Sequence, residues 1–409
     1  MKHGQLRDYF TGVGVKRLTA VDADPRRSNQ HEVGTTRPMR DQFLGETHRE
    51  FTVQYLWLGE EQDNLSVEGT ATHYDAREHQ PHRSPEWRLY YPANAVTEAM
   101  REGDTLFLAM RSNGSLCFIV ASQGSTAEQQ LLWLFGVNPY GRSFVSRDVP
   151  DDGPELDFAA RFILDEIGVE VGREDTDSLD AIIEPLGTTF PRTAVFSELA
   201  RSTLPEIDPR DDPDNALLMW LDHEEALFRR LERRIVAARL EAGFADENGT
   251  DVDGFIRFSL SVQNRRKSRM GYSLENHLEA VFRICKVMYV RGAVTEHGHR
   301  PDFLFPSLNA YRDAHESGSA RLAMLGAKSS CKERWRQVLA EADKIPEKHL
   351  LTLEPGISES QTDQMSASML QLVVPQSIQG TYSAQQQEWL WSVDRFIQFV
   401  ANELASRRT

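Results

Sequence analysis

The chain has 409 residues, 40% of them apolar and 26% charged. That is enough for two globular cores, and no apolar run approaches the ~20 residues that a bilayer-spanning helix needs. Cys117, Cys285 and Cys331 are the only cysteines, too few and too scattered for a disulfide framework or a zinc knuckle, and the start MKHGQLRDYF lacks the apolar core of a secretory signal. A reducing, cytoplasmic setting is the expectation. The net charge of −16 argues against a uniformly basic surface. It hides a reversal: Phe255 to Leu350 carries 17 Lys and Arg against 10 Asp and Glu, which leaves the rest of the chain at −23.

In chain order, residues up to about Glu170 alternate short β-rich runs with turns: Phe51 to Leu58, Trp87 to Tyr91, Thr105 to Met110, and Leu116 to Ala121 after the turn signal Ser112-Asn113-Gly114. This half is expected to be mostly β. The polar stretch Gly172 to Asp180 lacks apolar periodicity and reads as a linker. The expected organisation is an N-terminal β domain over 1–172, a linker over 173–180 and a C-terminal domain over 181–409. Ala216 to Ala242 repeats apolar residues at helical spacing and predicts a long helix. Further helices are expected near Val252 to Asn264, Ser273 to Lys286 and Gln385 to Ala405. Strands are expected near Asp302, before Lys328, at His349 to Leu353 and at Leu370 to Val374, making the second half α/β.

The stretch from Arg300 to Ile345 carries the chemistry. Asp302 opens the apolar run Phe303 to Phe305, Lys328 ends a second such run, and Glu341 follows on the next predicted helix. Breaking a phosphodiester calls for carboxylates that hold one or two divalent cations, and for a cation near the phosphate where charge builds in the transition state. Each residue alone also reads as surface chemistry: Glu341 and Glu275 as solvated helix acids, Lys328 as a snorkelling strand end. The set together favours catalysis.

The runs SVQNRRKSRMGYSLENHLEAVF, RPDFLFPSLNAYRD, KSSCKERWRQVLAEADKI and LQLVVPQSI closely resemble the catalytic domain of the EcoRII-like type II restriction endonucleases. The resemblance covers about 200 residues, from near Phe190 to near Val400. It implies the PD-(D/E)xK nuclease fold, a restriction-endonuclease-like mixed β-sheet flanked by helices, within an α+β multidomain chain. Two residues before Lys328 the wider fold usually has an acid, and here stands Gly326. In the EcoRII branch the acid sits on the following helix, thirteen residues past the lysine, which is the spacing of Glu341 from Lys328. A further family acid falls on Glu275. The resemblance thus implies Asp302, Lys328, Glu341 and Glu275 as catalytic, with Asp302, Glu341 and Glu275 as ligands of Mg2+, and products with 5′-phosphate ends.

Lys332-Glu333-Arg334 are base-reading side chains in type, because Arg and Lys donate to guanine and Glu accepts from cytosine. In the family a triplet at this place reads a CC:GG core, and Arg334, about two turns before Glu341, is expected on nearly the same helical face. Arg265, Arg266, Lys267 and Arg269 form a second basic cluster, expected to clamp phosphates, with plain solvation as the alternative. The N-terminal half resembles, over GVKRLTAVDADPRRSNQHEVG, the effector-binding domain of that family, a β pseudo-barrel similar to plant B3 DNA-binding domains. That likeness implies a DNA grip by Lys16, Arg17, His31 and Arg37 in one loop region, with Arg26 and Arg27 between, and by Arg77, Arg83 and Arg88 in another. The acidic remainder of this half suits a lid that competes with DNA, an autoinhibition that effector DNA would relieve.

Glu296-His297-Gly298-His299 lacks partners at zinc-site spacing, and no Gly-rich phosphate loop ends in Lys-Ser or Lys-Thr, so no ATP-driven step is expected. The sequence reading is a Mg2+-dependent endonuclease acting on double-stranded DNA as a homodimer through its C-terminal domain, with a cognate cytosine methyltransferase as functional partner. Its rivals are a modification-dependent endonuclease, whose N-terminal domain senses altered bases, and a DNA-binding regulator with a vestigial nuclease half.

Overall fold

The computed structural model describes residues 4–23, 31–59, 64–80, 82–138, 143–171, 177–246, 249–314, 322–331 and 334–403. The chain divides into two compact units. One comprises residues 2–172 with 355–360, the other 173–354 with 361–409.

The first unit is built on one eight-stranded sheet. Its strands are β1 (Phe10–Arg17), β2 (Glu32–Gly34), β3 (Arg49–Leu58), β4 (Leu65–Asp75), β5 (Trp87–Tyr90), β6 (Thr105–Arg111), β7 (Leu116–Ala121) and β8 (Val145–Asp148). They lie in the order β2-β5-β4-β3-β7-β6-β1-β8, antiparallel except for the parallel β3/β7 pair. The period of two sorts the side chains. Phe107, Ala109, Cys117, Ile119 and Ala121 face one core with helices α1 (Thr126–Phe135) and α2 (Phe158–Glu166), while Leu106, Leu108, Met110, Leu116, Phe118 and Val120 face another with Tyr55 and Tyr91. Burial on both faces is why β6 and β7 read as continuous apolar runs rather than alternating ones. In β1 the second core depends on Gly14, where a Cβ would lie 2.6 Å from the Met39 methyl. β1 and β4 escaped the sequence reading because glycine and threonine dilute their apolar pattern.

The second unit joins helices to a five-stranded mixed sheet. The helices run α3 (Asp177–Ile183), α4 (Thr193–Ser202), α5 (Pro213–Ala242), α6 (Val252–Ile284), α7 (Leu308–Asp313), α8 (Trp335–Leu339), α9 (Glu359–Ala367), α10 (Ala384–Trp389) and α11 (Val393–Gln398). Two-residue strands β9 (Ala245–Asp246) and β10 (Gly249–Thr250) pair between α5 and α6. The main sheet is β11 (Val290–Arg291), β12 (Phe303–Phe305), β13 (Ala323–Lys328), β14 (Lys348–Thr352) and β15 (Leu370–Val373), in that order. Its first three strands are antiparallel and its last three parallel. Phe282 of α6 packs edge-on against Phe303 and Phe305, ring centres 5.2 and 5.4 Å away. That contact seats the helix of Glu275 on the strand that follows Asp302.

Three boundaries differ from expectation. Residues 177–180, expected as linker, start α3, because Leu179 and Ile183 pack with Phe196, Phe228 and Leu231 while Asp180 is held by Arg230 at 2.6 Å. The two helices expected around residue 270 are one, α6, since Arg269 and Ser273 point into a buried polar network that a break would expose. The last helix is broken at Leu390–Ser392, where Trp391 bridges to Val373 and the buried Asp214 carboxylate accepts the backbone N–H groups of Val393 and Asp394, each at 2.9 Å.

Candidate active site

Asp302 immediately precedes β12, and its Oδ2 reaches the neighbouring strand, accepting from the Ala327 N–H at 2.7 Å and from Lys328 Nζ at 2.8 Å. Lys328 is the last residue of β13, where the parallel strand pairs it with Thr352. The two side chains are 15% and 22% exposed, so the pair is partly screened from water yet open on one side.

Gly326 explains why no acid stands two residues before the lysine. A Cβ there would lie 2.9 Å from a Val338 methyl, so α8 closes over the strand and leaves no room for a side chain. Glu341, the acid expected in its stead, lies beyond α8, although not on the expected helix: α8 ends at Leu339 with Ala340 as its C-cap, and Glu341 stands on the turn that follows, before Ala342 at φ 52°. The shared helical face expected for Arg334 and Glu341 is therefore absent, because a five-residue helix cannot carry both. Buried Lys348, a residue that sequence reasoning passed over at the start of a strand, donates to the Ala342 and Ile345 carbonyls at 3.3 and 2.8 Å and fixes this turn.

Glu341 Oε2 is buried without a hydrogen-bond partner among the described residues. Burial, and then the Asp302 charge, push its carboxyl up to about 7, while Lys328 and Lys348 pull the other way. Glu275 is also raised, by burial first and by Asp302, against the hydrogen bond from Arg291 and the charge of Lys328. Asp302 and Lys328 thus act on both glutamates, and the four residues share one electrostatic neighbourhood. Glutamates held above their ordinary range by burial first and by the Asp302 charge second, one of them with an unpartnered oxygen, suit a divalent cation. No group of three or more His, Cys, Asp or Glu close enough to hold a metal occurs among the described residues.

The other expected residues scatter. Lys332 and Glu333 lie outside the described residues, as does the side chain of Lys267; Arg334 is exposed just before α8. Arg265 stacks on Phe190 at 4.3 Å, and Arg266 forks onto Glu232 at 2.7 and 3.0 Å. Arg269 corrects the phosphate-clamp reading. Only 5% exposed, it lies over Phe228, bonds Glu225 and sits 3.3 Å from Glu224, which also holds Ser273 and His277. Arg269→Ala should therefore cost about 3–5 kcal/mol of stability in urea unfolding, the usual cost of stripping one partner from a buried ion pair. A stable variant with weakened DNA binding would restore the clamp.

In the first unit, Lys16 is likewise buried, 2.8 Å from Asp22, and so is not free to grip DNA. Arg17 bonds Glu128 at 2.7 Å, Arg77 bonds Glu86, and Arg88 bonds Glu32 at 2.8 Å and Glu86. His31 packs edge-on against Tyr91, Arg37 is exposed beside Asp41, and Arg83 is exposed and bonds Gln80 at 3.2 Å. Arg26 and Arg27 lie outside the described residues. No helix among the described residues is long and apolar enough to cross a membrane.

Part of this chain is similar to known proteins. Over 187 residues, 46% of this chain and 45% of the relative, the sequence is 42% identical to the type II restriction enzyme EcoRII of Escherichia coli. The match thus spans less than half the length of that relative. Two solved structures are similar to part of this chain: a PspGI restriction endonuclease–substrate DNA complex, 15% identical with a TM-score of 0.43 over 57% of this chain and 99% of that one, and metal-depleted Ecl18kI with uncleaved DNA, 17% identical with a TM-score of 0.42 over 56% and 83%. The family described as EcoRII C terminal matches residues 228–397, a span that holds Glu275, Asp302, Lys328 and Glu341. This stretch of the chain is therefore similar to an EcoRII C-terminal domain.

Proposed function

We propose that the chain is a type II restriction endonuclease that hydrolyses double-stranded DNA, with Mg2+, at a short site containing CC:GG. The observation that carries this reading is the Asp302–Lys328 pair, whose charges act on the buried, unpartnered Oε2 end of Glu341, inside a stretch that matches the EcoRII C-terminal family. Asp302 and Glu341 would hold the metal directly and Glu275 through water, and the metal when bound would supply a Lewis acid for the phosphoryl oxygen and lower the pKa of water. The chain's own groups do the rest. Lys328 would place a positive charge where the scissile phosphate gains negative charge, and the Ala327 N–H fixes the Asp302 carboxylate through Oδ2. Exposed Arg334, with Lys332 and Glu333 beside it in sequence, supplies the donors and acceptor that G·C edges demand.

Cutting both strands of a symmetric site calls for two copies. The end of the α5–α6 hairpin supports such pairing. Leu240, Val252, Phe255, Ile256 and Leu260 are all about half exposed there. Val252, Ile256 and Leu260, four residues apart, match themselves under a two-fold axis at Ile256, which also brings Asp253 of one copy toward Arg257 of the other. Ile256→Glu should convert a dimer to a monomer in analytical ultracentrifugation, and an unchanged mass would move the interface elsewhere. The N-terminal unit, by its resemblance to the B3-like effector domain, would bind a second DNA copy and restrain cleavage until it does; removal of residues 1–180 should then raise the rate. A cytosine methyltransferase would protect host sites in the cytoplasm.

The test is digestion of unmethylated and cytosine-methylated phage DNA with Mg2+, with every cut end sequenced. Discrete cuts in unmethylated DNA at a shared CC:GG motif are expected. Cuts in modified DNA alone would make the N-terminal unit a modification sensor, and no cuts in either would leave a DNA-binding regulator.

A further inference from the structure

Arg291, which no motif singled out, makes a fork across one turn of α6. Its Nη2 donates to Glu275 Oε2 at 2.8 Å, and its Nη1 to Glu279 Oε2 at 2.7 Å and Asn276 Oδ1 at 2.9 Å. The fork is braced from both sides. Asn276 donates onward to Ser197 Oγ of α4 at 3.1 Å, and Tyr289, two residues before Arg291, donates to Glu279 at 3.4 Å. β11 pairs Arg291 with Phe303, the residue after Asp302, so the guanidinium is anchored to the strand edge that carries the nuclease acid. Arg291 and Glu275 are 26% and 23% exposed, dry enough for their charges to matter.

A carboxylate expected to hold a divalent cation thus already has a cation. The guanidinium is shared, because Glu279, one turn further along the helix and outside the catalytic set, takes its other arm. We infer that Arg291 is a positioning residue that serves as resident counter-ion of Glu275 and competes with the divalent metal for that carboxylate, with Glu279 setting how strongly it competes. The inference rests on the proposed reading of Glu275 as a metal carboxylate. It gives the site a way to keep a repulsive set of acids folded before metal arrives, and it makes metal affinity depend on two residues that need never touch the metal.

The signs are opposite for the two partners. Arg291→Gln removes the competitor and keeps one hydrogen-bonding group, so metal binding should tighten by about threefold to tenfold, the span of an ion pair at partly screened depth. Glu279→Gln frees Arg291 to serve Glu275 alone, so binding should weaken by about twofold to fivefold. Arg291→Lys, whose single ammonium cannot span both acids, should fall between wild type and Arg291→Gln.

Binding of Mn2+ to the DNA-free full chain, followed by the electron paramagnetic resonance signal of free Mn2+, reads these shifts without any cleavage. Tightening in Arg291→Gln, weakening in Glu279→Gln, and loss of the Arg291 effect in a Glu275→Gln background would support the inference. Equal affinities, or shifts of one sign, would overturn it as long as Asp302→Asn and Glu341→Gln abolish the wild-type site. If those two leave Mn2+ binding untouched, the reading of the site itself fails and this inference with it. Should Arg291→Gln not fold by circular dichroism, Glu279→Gln and Arg291→Lys decide the matter alone.

Discussion

Lys328→Ala should lower the single-turnover rate of DNA cleavage by about 10²–10³-fold, the usual loss when one preorganised group that meets developing charge is removed, while DNA affinity measured with Ca2+ stays within about threefold. The ammonium has two tasks that the geometry joins. It bonds Asp302 at 2.8 Å, and its charge lowers the pKa of both Glu341 and Glu275. Without it, Glu341 and Glu275 lose a charge that opposes burial and the Asp302 carboxylate, and are more protonated and less able to hold a cation. The loss should therefore be partly recovered at higher pH and higher Mg2+, a pattern that a lysine serving only as a phosphate contact would not show. Arg in its place should not rescue: the planar fork is longer and would bond Asp302 through two nitrogens instead of presenting one compact charge. A Lys328→Ala enzyme within tenfold of wild type would remove this residue from the chemistry.

How far the sequence carried depended on whether a residue's meaning was local. Asp302 opens one apolar run and Lys328 ends another, and the strand ends that such runs predict are where the structure holds them. Glu341 was legible by its distance from Lys328 but not its setting, since nothing in ERWRQVLAEADKI announces that helix α8 stops after five residues. That stop depends on Lys348, buried beneath the turn through contacts made only in the fold. Charge failed as a guide to DNA contact for the same reason. Arg269 and Lys16 look like exposed cations because their partners, Glu224 and Asp22, are chosen by packing: one lies 45 positions away on α5, and the other is six residues further on in a different element. Arg291 is the converse case, a lone basic residue in a plain stretch that acquires meaning only because β11 runs beside the acid strand.

Glu341→Gln should abolish cleavage yet raise the melting temperature of the metal-free protein by a few degrees at pH 8. Its carboxyl, ordinarily at 4.5, is pushed up to about 7 by burial and by Asp302. The folded protein therefore binds this proton more tightly than the unfolded chain does, and stability falls as pH rises from about 4.5 to about 7, where the charge must be carried in a site that repels it. Above pH 7 the full cost is present. After discount for the part of the side chain that water reaches, it is on the order of 1–2 kcal/mol, or roughly 2–4 °C per kcal/mol for a domain of this size. Glutamine fills the same space without the charge, so its advantage should be largest at pH 8 and vanish near pH 5. Divalent cation should reverse the order, because wild type gains stability from a ligand that binds only the folded state and the variant gains much less. Thermal melts at pH 5 and pH 8, each with and without Mg2+, separate this from a structural role. A variant that melts below wild type at both pH values would show Glu341 as a packing residue, whereas a gain confined to high pH and cancelled by metal would mark an acid whose cost to the fold is offset only when its cation is bound.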